Sequence, residues 1–284
     1  MTSDRPIQAC LVNHNTSDFA ELAVRSLWTC NRDMAHRLAL TVLDNHSDDD
    51  GLAALQQAVA DLGASFEASR WPRQGSRVNS HGDVLRDFVL AQPEAEYLLF
   101  LDADIVFIED DTVQTMLAEL DSDPTLWAVQ ARFHWSEGAI GVGSSLDIGA
   151  GDPIDVAVRV GPTQHSYEFA AKGSVQSRLH PGCALIRNSP VFRQAAERPG
   201  LGCAVVLSGD GALAGYYDTM ALASAAMAAA GFLYGLSAAT VAHYFNVSYD
   251  RRDALTVAKR EDCQRRLDVM RSDPTARPTP GPWG

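Results

Sequence analysis

Two carboxylates one residue apart, Asp102 and Asp104, follow the uncharged run Tyr97–Leu101. Side chains at i and i+2 of an extended chain point the same way, so both can reach one hard cation through oxygen. An Asp-x-Asp triplet alone equally describes a solvated turn. This one follows a strand that reads as covered on both faces, which delivers the pair to the carboxyl end of a sheet, where open α/β folds bind ligands. Asp44-Asn45-His46-Ser47 follows Val42-Leu43 in the same manner, and Asn13-His14-Asn15 follows Ile7–Val12. A carboxylate at such a tip, Asp44, suits paired donors such as ring N–H groups or hydroxyls. The other local reading of this stretch is an Asx-rich turn that caps a helix beginning near Asp50. Three polar strand tips imply one crevice.

The elements that position these tips are written in the apolar spacing. Ile7–Val12 reads as a strand, followed by a helix whose face carries Phe19, Leu22, Ser26, Leu27 and Cys30 and whose start pairs Asp18 with Glu21. Leu40–Leu43 and Ser65–Ala68 are further strands, and Leu52, Leu55, Val59 and Leu62 repeat at helical spacing between them. Val84, Leu85, Phe88 and Val89 mark a helix before Tyr97–Leu101; Val113, Met116, Leu117 and Leu120 mark one after it, leading into a strand over Trp127–Phe133. This alternation predicts an α/β fold, a doubly wound, mixed but mainly parallel sheet with helices on both faces. Beyond it, a Gly-rich region from Gly138 to Gly161 breaks the pattern, and order returns around Cys183–Ile186.

Composition narrows the partners. With 36 acidic against 23 basic residues, a net charge of −13 opposes a phosphate backbone, so nucleic acid is not an expected partner. The five cysteines are scattered and odd in number, which predicts reduced, structural thiols and no zinc site. Thr219–Ala242 has no charged residue across 24 positions, but its Ala, Ser, Thr and Gly content predicts a buried helix and strand, not a membrane span. No basic leader precedes an apolar segment, and the chain is expected to be cytoplasmic. Residues 272–284, with Pro274, Pro278, Pro280 and Pro282, read as a disordered tail.

In the order and spacing of Val12-Asn13-His14-Asn15, Asp44-Asn45-His46-Ser47 and Asp102-Ala103-Asp104, over roughly the first 135 residues, the chain resembles the GT-A glycosyltransferases, most of all family 2. The resemblance implies a single GT-A domain over 1–271, with a nucleotide-sugar-binding half (1–133) and an acceptor-binding half (134–271). It implies a donor site at Asn13, Asn15, Asp44, Asn45, Arg77, Asn79, Asp102 and Ala103. A divalent cation, Mn or Mg, would rest on Asp102, Asp104 and His243; a lone histidine late in the chain also has a purely structural reading. Gly82, beside Arg77 and Asn79, and Gly182, in His180-Pro181-Gly182, fall near donor and sugar, Gly182 where glycine permits close approach. Asp218 holds the place of the acceptor-activating base; the alternatives are a helix N-cap at Asp218 and a base at Asp210 instead. His134, His165 and His180 are candidates for the acceptor side, and Gly138–Gly161 with Gln164–Lys172 for a lid or acceptor wall.

The function so implied is metal-dependent transfer of a sugar from a nucleotide-diphosphate donor to a small-molecule, glycan or natural-product acceptor, with inversion. A dehydrogenase would need G-x-G-x-x-G where Asn13-His14-Asn15-Thr16 stands. A nucleotidyltransferase would need a Gly-rich basic loop after the first strand, which is missing. A catalytically inactive sugar-nucleotide binding module remains open.

Overall fold

The apolar runs of the first half become strands at nearly the positions their spacing predicts. The computed structural model describes residues 6–70, 80–134, 153–160, 163–170, 178–207, 213–245, 247 and 254–279. In chain order the elements are β1 (Ile7–Asn13), α1 (Ser17–Cys30), β2 (Leu38–Asp44), α2 (Leu52–Asp61), β3 (Ser65–Ala68), α3 (His81–Ala91), β4 (Tyr97–Asp102), β5 (Ile105–Phe107), α4 (Thr112–Ser122) and β6 (Leu126–His134). They continue as β7 (Pro153–Val160), β8 (Thr163–Ala170), β9 (Cys183–Arg187), α5 (Pro190–Glu197), β10 (Ala204–Leu207), β11 (Leu213–Tyr217), α6 (Ala221–Ala229), β12 (Leu233–His243) and α7 (Ala254–Ser272).

Eight strands form one sheet in the order β3-β2-β1-β4-β9-β6-β12-β5. The first four run parallel, β9 runs against both β4 and β6, β12 is parallel to β6, and β5 is antiparallel to β12. The period of two along the strands divides the core. Ile7, Ala9, Leu11, Leu99 and Leu101 pack with α1, α2 and α4, whereas Cys10, Val12, Leu98 and Phe100 pack with α3, α5 and α6 on the opposite face. This is the mixed, mainly parallel sheet with helices on both faces that the alternation predicts. Because β9 separates β4 from β6, strands from both sides of residue 133 share one sheet.

Several expectations are revised. The Gly-rich stretch ends in regular structure: β7 and β8 pair as a hairpin, and with β10 and β11 they make a second sheet ordered β11-β10-β7-β8. Asp18 and Glu21 do not make a capping box; the start of α1 is capped by Asp49, whose oxygens accept from Ser17 N and Ser17 Oγ at 2.8 and 2.6 Å. That carboxylate therefore serves α1, and not the helix that follows it. Nor has α1 a single apolar face. Phe19 and Leu22 pack under α7 through Cys263, Leu267 and Met270, so α1 is sandwiched between α7 and the sheet. Residues 273–279 of the expected disordered tail are tied to the body: Thr29 Oγ1 of α1 donates to the Pro274 carbonyl at 3.4 Å, Arg32 to the Thr275 carbonyl at 3.1 Å, and Pro278 is buried. All five cysteines are free and buried, and among the described residues no helix is long and apolar enough to cross a membrane.

The α1/α7 contact centres on Glu21, which is 1% exposed and bonded to Arg25 at 2.8 Å and Arg271 at 3.0 Å. Burial raises its affinity for a proton, and the two guanidiniums more than offset this, so the carboxyl is held below its ordinary 4.5. A depressed folded-state value contributes stability that is present above the unfolded value and lost as pH falls through the folded one. The urea midpoint should therefore drop as pH falls below 4.5. Glu21→Gln should lower stability by about 2 kcal/mol at pH 7 and flatten that acid slope; an unchanged slope would remove Glu21 from the account.

Candidate active site

The tips of β2, β1 and β4 lie side by side, with Asn13 registered against Asp44 and Val12 against Asp102, so the polar clusters do meet at one edge of the sheet. Asn13 is fully buried. Its amide nitrogen is within 3.1 Å of Asp44 Oδ1, Ser17 Oγ and Ser47 Oγ, and its Oδ1 accepts from Thr16 Oγ1 at 3.0 Å. Asn13 thus orients Asp44 and has no free edge for a ligand. Asp44 Oδ2 accepts from Ser47 N at 3.0 Å, which leaves each oxygen one further lone pair. Asn45 donates to Ser80 Oγ at 2.8 Å, joining β2 to the start of α3, while its Oδ1 is buried and without a partner. Asn15 adopts φ 52° and accepts from Asp48 N at 2.8 Å, which ties the two loops together. Arg77 and Asn79 lie outside the described residues. Gly82 serves packing: a Cβ there would stand 2.3 Å from the Leu201 carbonyl.

Asp102, Asp104 and His243 place one ligand atom each within 4.8 Å of one another. β4 carries the first, the turn after it the second, and the end of β12 the third; β12 pairs with β5, registering His243 against Ile105. His243 Nε2 is 2.9 Å from Asp104 Oδ1 and 3.7 Å from Asp102 Oδ2. Ala103 turns its methyl into the core, so only its backbone is available to a ligand. Burial opposes the charge of Asp104, and the adjacent His243 overcomes it, holding the carboxyl below the usual range. Two carboxylates and an imidazole suit a divalent cation such as manganese or magnesium.

Two further histidines also reach this centre: His180, read from the sequence as an acceptor-side candidate, and His81, to which the sequence reading gives no role. His81 Nε2 is 3.5 Å from Asp102 Oδ1 and His180 Nδ1 is 3.8 Å from Asp102 Oδ2. Burial pushes His180 down to about 3, against the pull of Asp102, and its Nδ1 accepts from Gly182 N at 3.0 Å, which fixes a neutral ring. Gly182 closes the site: a Cβ there would lie 2.9 Å from His180 Nδ1 and 3.1 Å from Asp102 Oδ2. Of the other histidines, His134 is exposed at the end of β6.

Asp218 follows β11. Its Oδ2 forms an ion pair with Arg178 at 2.6 Å and its Oδ1 accepts from Thr219 N at 2.8 Å, while the carboxylate remains 44% exposed. It is not the cap of α6, a position taken by Met220 at φ 70°. Arg178, which sequence reasoning missed, precedes by two residues the His180 that adjoins Asp102. Its one sequence signal is a lone cation ahead of His180-Pro181-Gly182. Asp210 lies outside the described residues.

Gly182→Ala forces a methyl group against the Asp102 carboxylate and should weaken Mn2+ binding on the order of tenfold, measured by calorimetry, with little change in the far-UV spectrum. Wild-type affinity in this variant would mean that Asp102 does not face the ion.

No family model and no curated protein matches the chain. Among solved structures, the mannosyltransferase PcManGT from Pyrobaculum calidifontis, in complex with GDP-Man and Mn2+, aligns over 98% of this chain and 67% of its own at 14% identity and a TM-score of 0.52. Residues 1–349 of S. aureus TarS align over 82% of this chain at 14% identity and a TM-score of 0.47. Glucosyl-3-phosphoglycerate synthase from Mycobacterium tuberculosis, with Mn2+ and UDP-glucose, aligns over 46% at 19% identity and 0.34. The chain spans 57% and 44% of these last two, and the first alone bears on the whole architecture. With its strand order, its helices on both faces of the sheet and this likeness over nearly its full length, the chain has the GT-A glycosyltransferase fold.

Proposed function

We propose that the chain is a divalent-metal-dependent glycosyltransferase that moves a sugar from a nucleotide-diphosphate donor to an acceptor with inversion. The observation that carries this reading is the gathering of Asp102, Asp104 and His243 at the same sheet edge as the Asn13–Asp44 lattice. Asp44 is supplied with two internal donors and keeps lone pairs for the base or ribose of the donor, with Asn15, Asn45, Arg77 and Asn79 completing that side. Asp102, Asp104 and His243 would hold the Mn or Mg ion, which would supply positive charge for the diphosphate leaving group. The acceptor hydroxyl forms its bond to the anomeric carbon from the face opposite the leaving oxygen. That oxygen keeps the electron pair, and Asp218 takes the hydroxyl proton.

One observation favours a second reading, a binding module without turnover: Asp218 is engaged by Arg178 at 2.6 Å, so the base is released only if that pair opens. The neighbour bound to GDP-Man supports a nucleotide-sugar ligand in either case. The acceptor is a small molecule, a glycan or a natural product, and the acidic net charge of −13 argues against nucleic acid. A cytoplasmic location suits these substrates.

Nucleoside diphosphates at 100 times their dissociation constant should add about 2.7 kcal/mol of stability, read as a rise in thermal midpoint. The rise should need Mn2+ and disappear in Asp102→Ala. No shift with any nucleotide would defeat the donor assignment. In a transfer assay, Asp218→Asn should lower kcat by roughly 10²- to 10⁴-fold with donor affinity kept. Undiminished transfer would move the base elsewhere, and a wild-type chain that binds donor but transfers nothing to any acceptor would favour the binding module.

A further inference from the structure

A metal-binding histidine is ordinarily aimed by a hydrogen bond at its second ring nitrogen, and His243 has none among the described residues: Nδ1 is buried and without a partner. Within the site the ring packs against Phe133 at 4.9 Å and His180 at 5.6 Å, and the segment that follows it adds a second set of anchors. Tyr244 N donates to the Asp104 carbonyl at 2.9 Å, which locks the backbone of one ligand to that of another. The Tyr244 side chain points away from the site into the cluster between α1 and α7, with its ring edge-on to Phe19 at 5.0 Å. There its hydroxyl donates to Asp262 Oδ2 at 2.7 Å, and Arg265 and Arg266 hold the same carboxylate. Phe245, at φ 51°, offers its carbonyl to Lys259 Nζ at 2.8 Å and lays its ring 3.5 Å from that of His243. Phe133 of β6 also stands edge-on to Phe245 at 5.6 Å, but the polar anchors of this segment outside the site, Asp262 and Lys259, are residues of α7.

We propose that α7, which contributes no ligand, sets the affinity of the cation site. Tyr244 and Asp262 act as positioning residues that hold His243 in the ligating pose, in place of the absent hydrogen bond to its ring. The inference rests on the reading that Asp102, Asp104 and His243 hold a divalent cation. It assigns to residues some twenty positions beyond the last ligand a control over the ion that their distance in sequence conceals.

Mn2+ alone, titrated calorimetrically into the full chain, is the probe. Tyr244→Phe keeps the ring and leaves Asp262 paired with both arginines, so the fold is retained. It should weaken Mn2+ binding on the order of tenfold. In a His243→Ala background, itself weaker, the same change should have no further effect, because the hydroxyl acts through the imidazole. A merely structural role would lower affinity equally in both backgrounds and would overturn the inference, as would wild-type affinity in Tyr244→Phe. Absence of Mn2+ binding by the unaltered chain would overturn the cation site and this inference with it, whereas the preceding outcomes leave the site standing.

Discussion

Two like charges fixed at a strand end repel one another, and much of the surrounding structure answers that repulsion. Asp102 and Asp104 offer oxygens within 4.8 Å of each other and of His243, a spacing at which two unit charges oppose each other by about 4 kcal/mol at the effective dielectric of a protein surface. A lysine or arginine at this place would neutralise the pair permanently. Imidazoles stand there instead, His81, His180 and His243, all within 3.8 Å of Asp102. An imidazole, unlike an ammonium or guanidinium, can present a lone pair and so leave the demand for positive charge to an exchangeable ion. The sheet supplies the rigidity: Phe100 and Leu101, just before the pair, are essentially inaccessible to solvent.

The backbone at these tips departs from ordinary conformations in a consistent way. Asn15 after β1, His46 after β2, Phe245 after β12 and Met220 after Asp218 all have positive φ, between 51° and 70°. Asparagine accepts the left-handed region readily, but a phenylalanine or methionine there is strained and persists only where neighbours over-determine it. For Phe245 the over-determination is visible, in Lys259 on its carbonyl and the His243 ring against its own. Each left-handed residue turns the chain sharply once a strand has delivered its functional side chain.

Much of this was legible before any coordinates. The parallel strands announce themselves because residues covered on both faces cannot be charged, and the carboxylates after them mark where cover ends. The late histidine was legible by its place after an uncharged strand. What remained hidden had specific causes. α7 is highly charged, and its buried positions Cys263, Leu267 and Met270 are few, so its period is faint against Arg265, Arg266 and Asp268. β7 alternates Ile154, Val156, Val158 and Val160, a strand signal masked by the glycines before it. The ties of Arg178 to Asp218 and of Tyr244 to Asp262 join residues 40 and 18 positions apart, and no local pattern announces such pairs.

The second sheet has a consequence of a different kind. Its four strands come from two excursions: β7 and β8 lie between β6 and β9, which are neighbours in the main sheet, and β10 and β11 lie between α5 and α6, which pack on the same face of it. Each excursion leaves and re-enters the body at nearby points, so each closes a loop whose length weighs little on the stability of the rest. The two hairpins can therefore vary in sequence while the metal centre and the strand tips of the main sheet stay as they are. A chain built in this way can change those strands while the main sheet keeps the register that sets Asp44 and Asp102 on either side of β1.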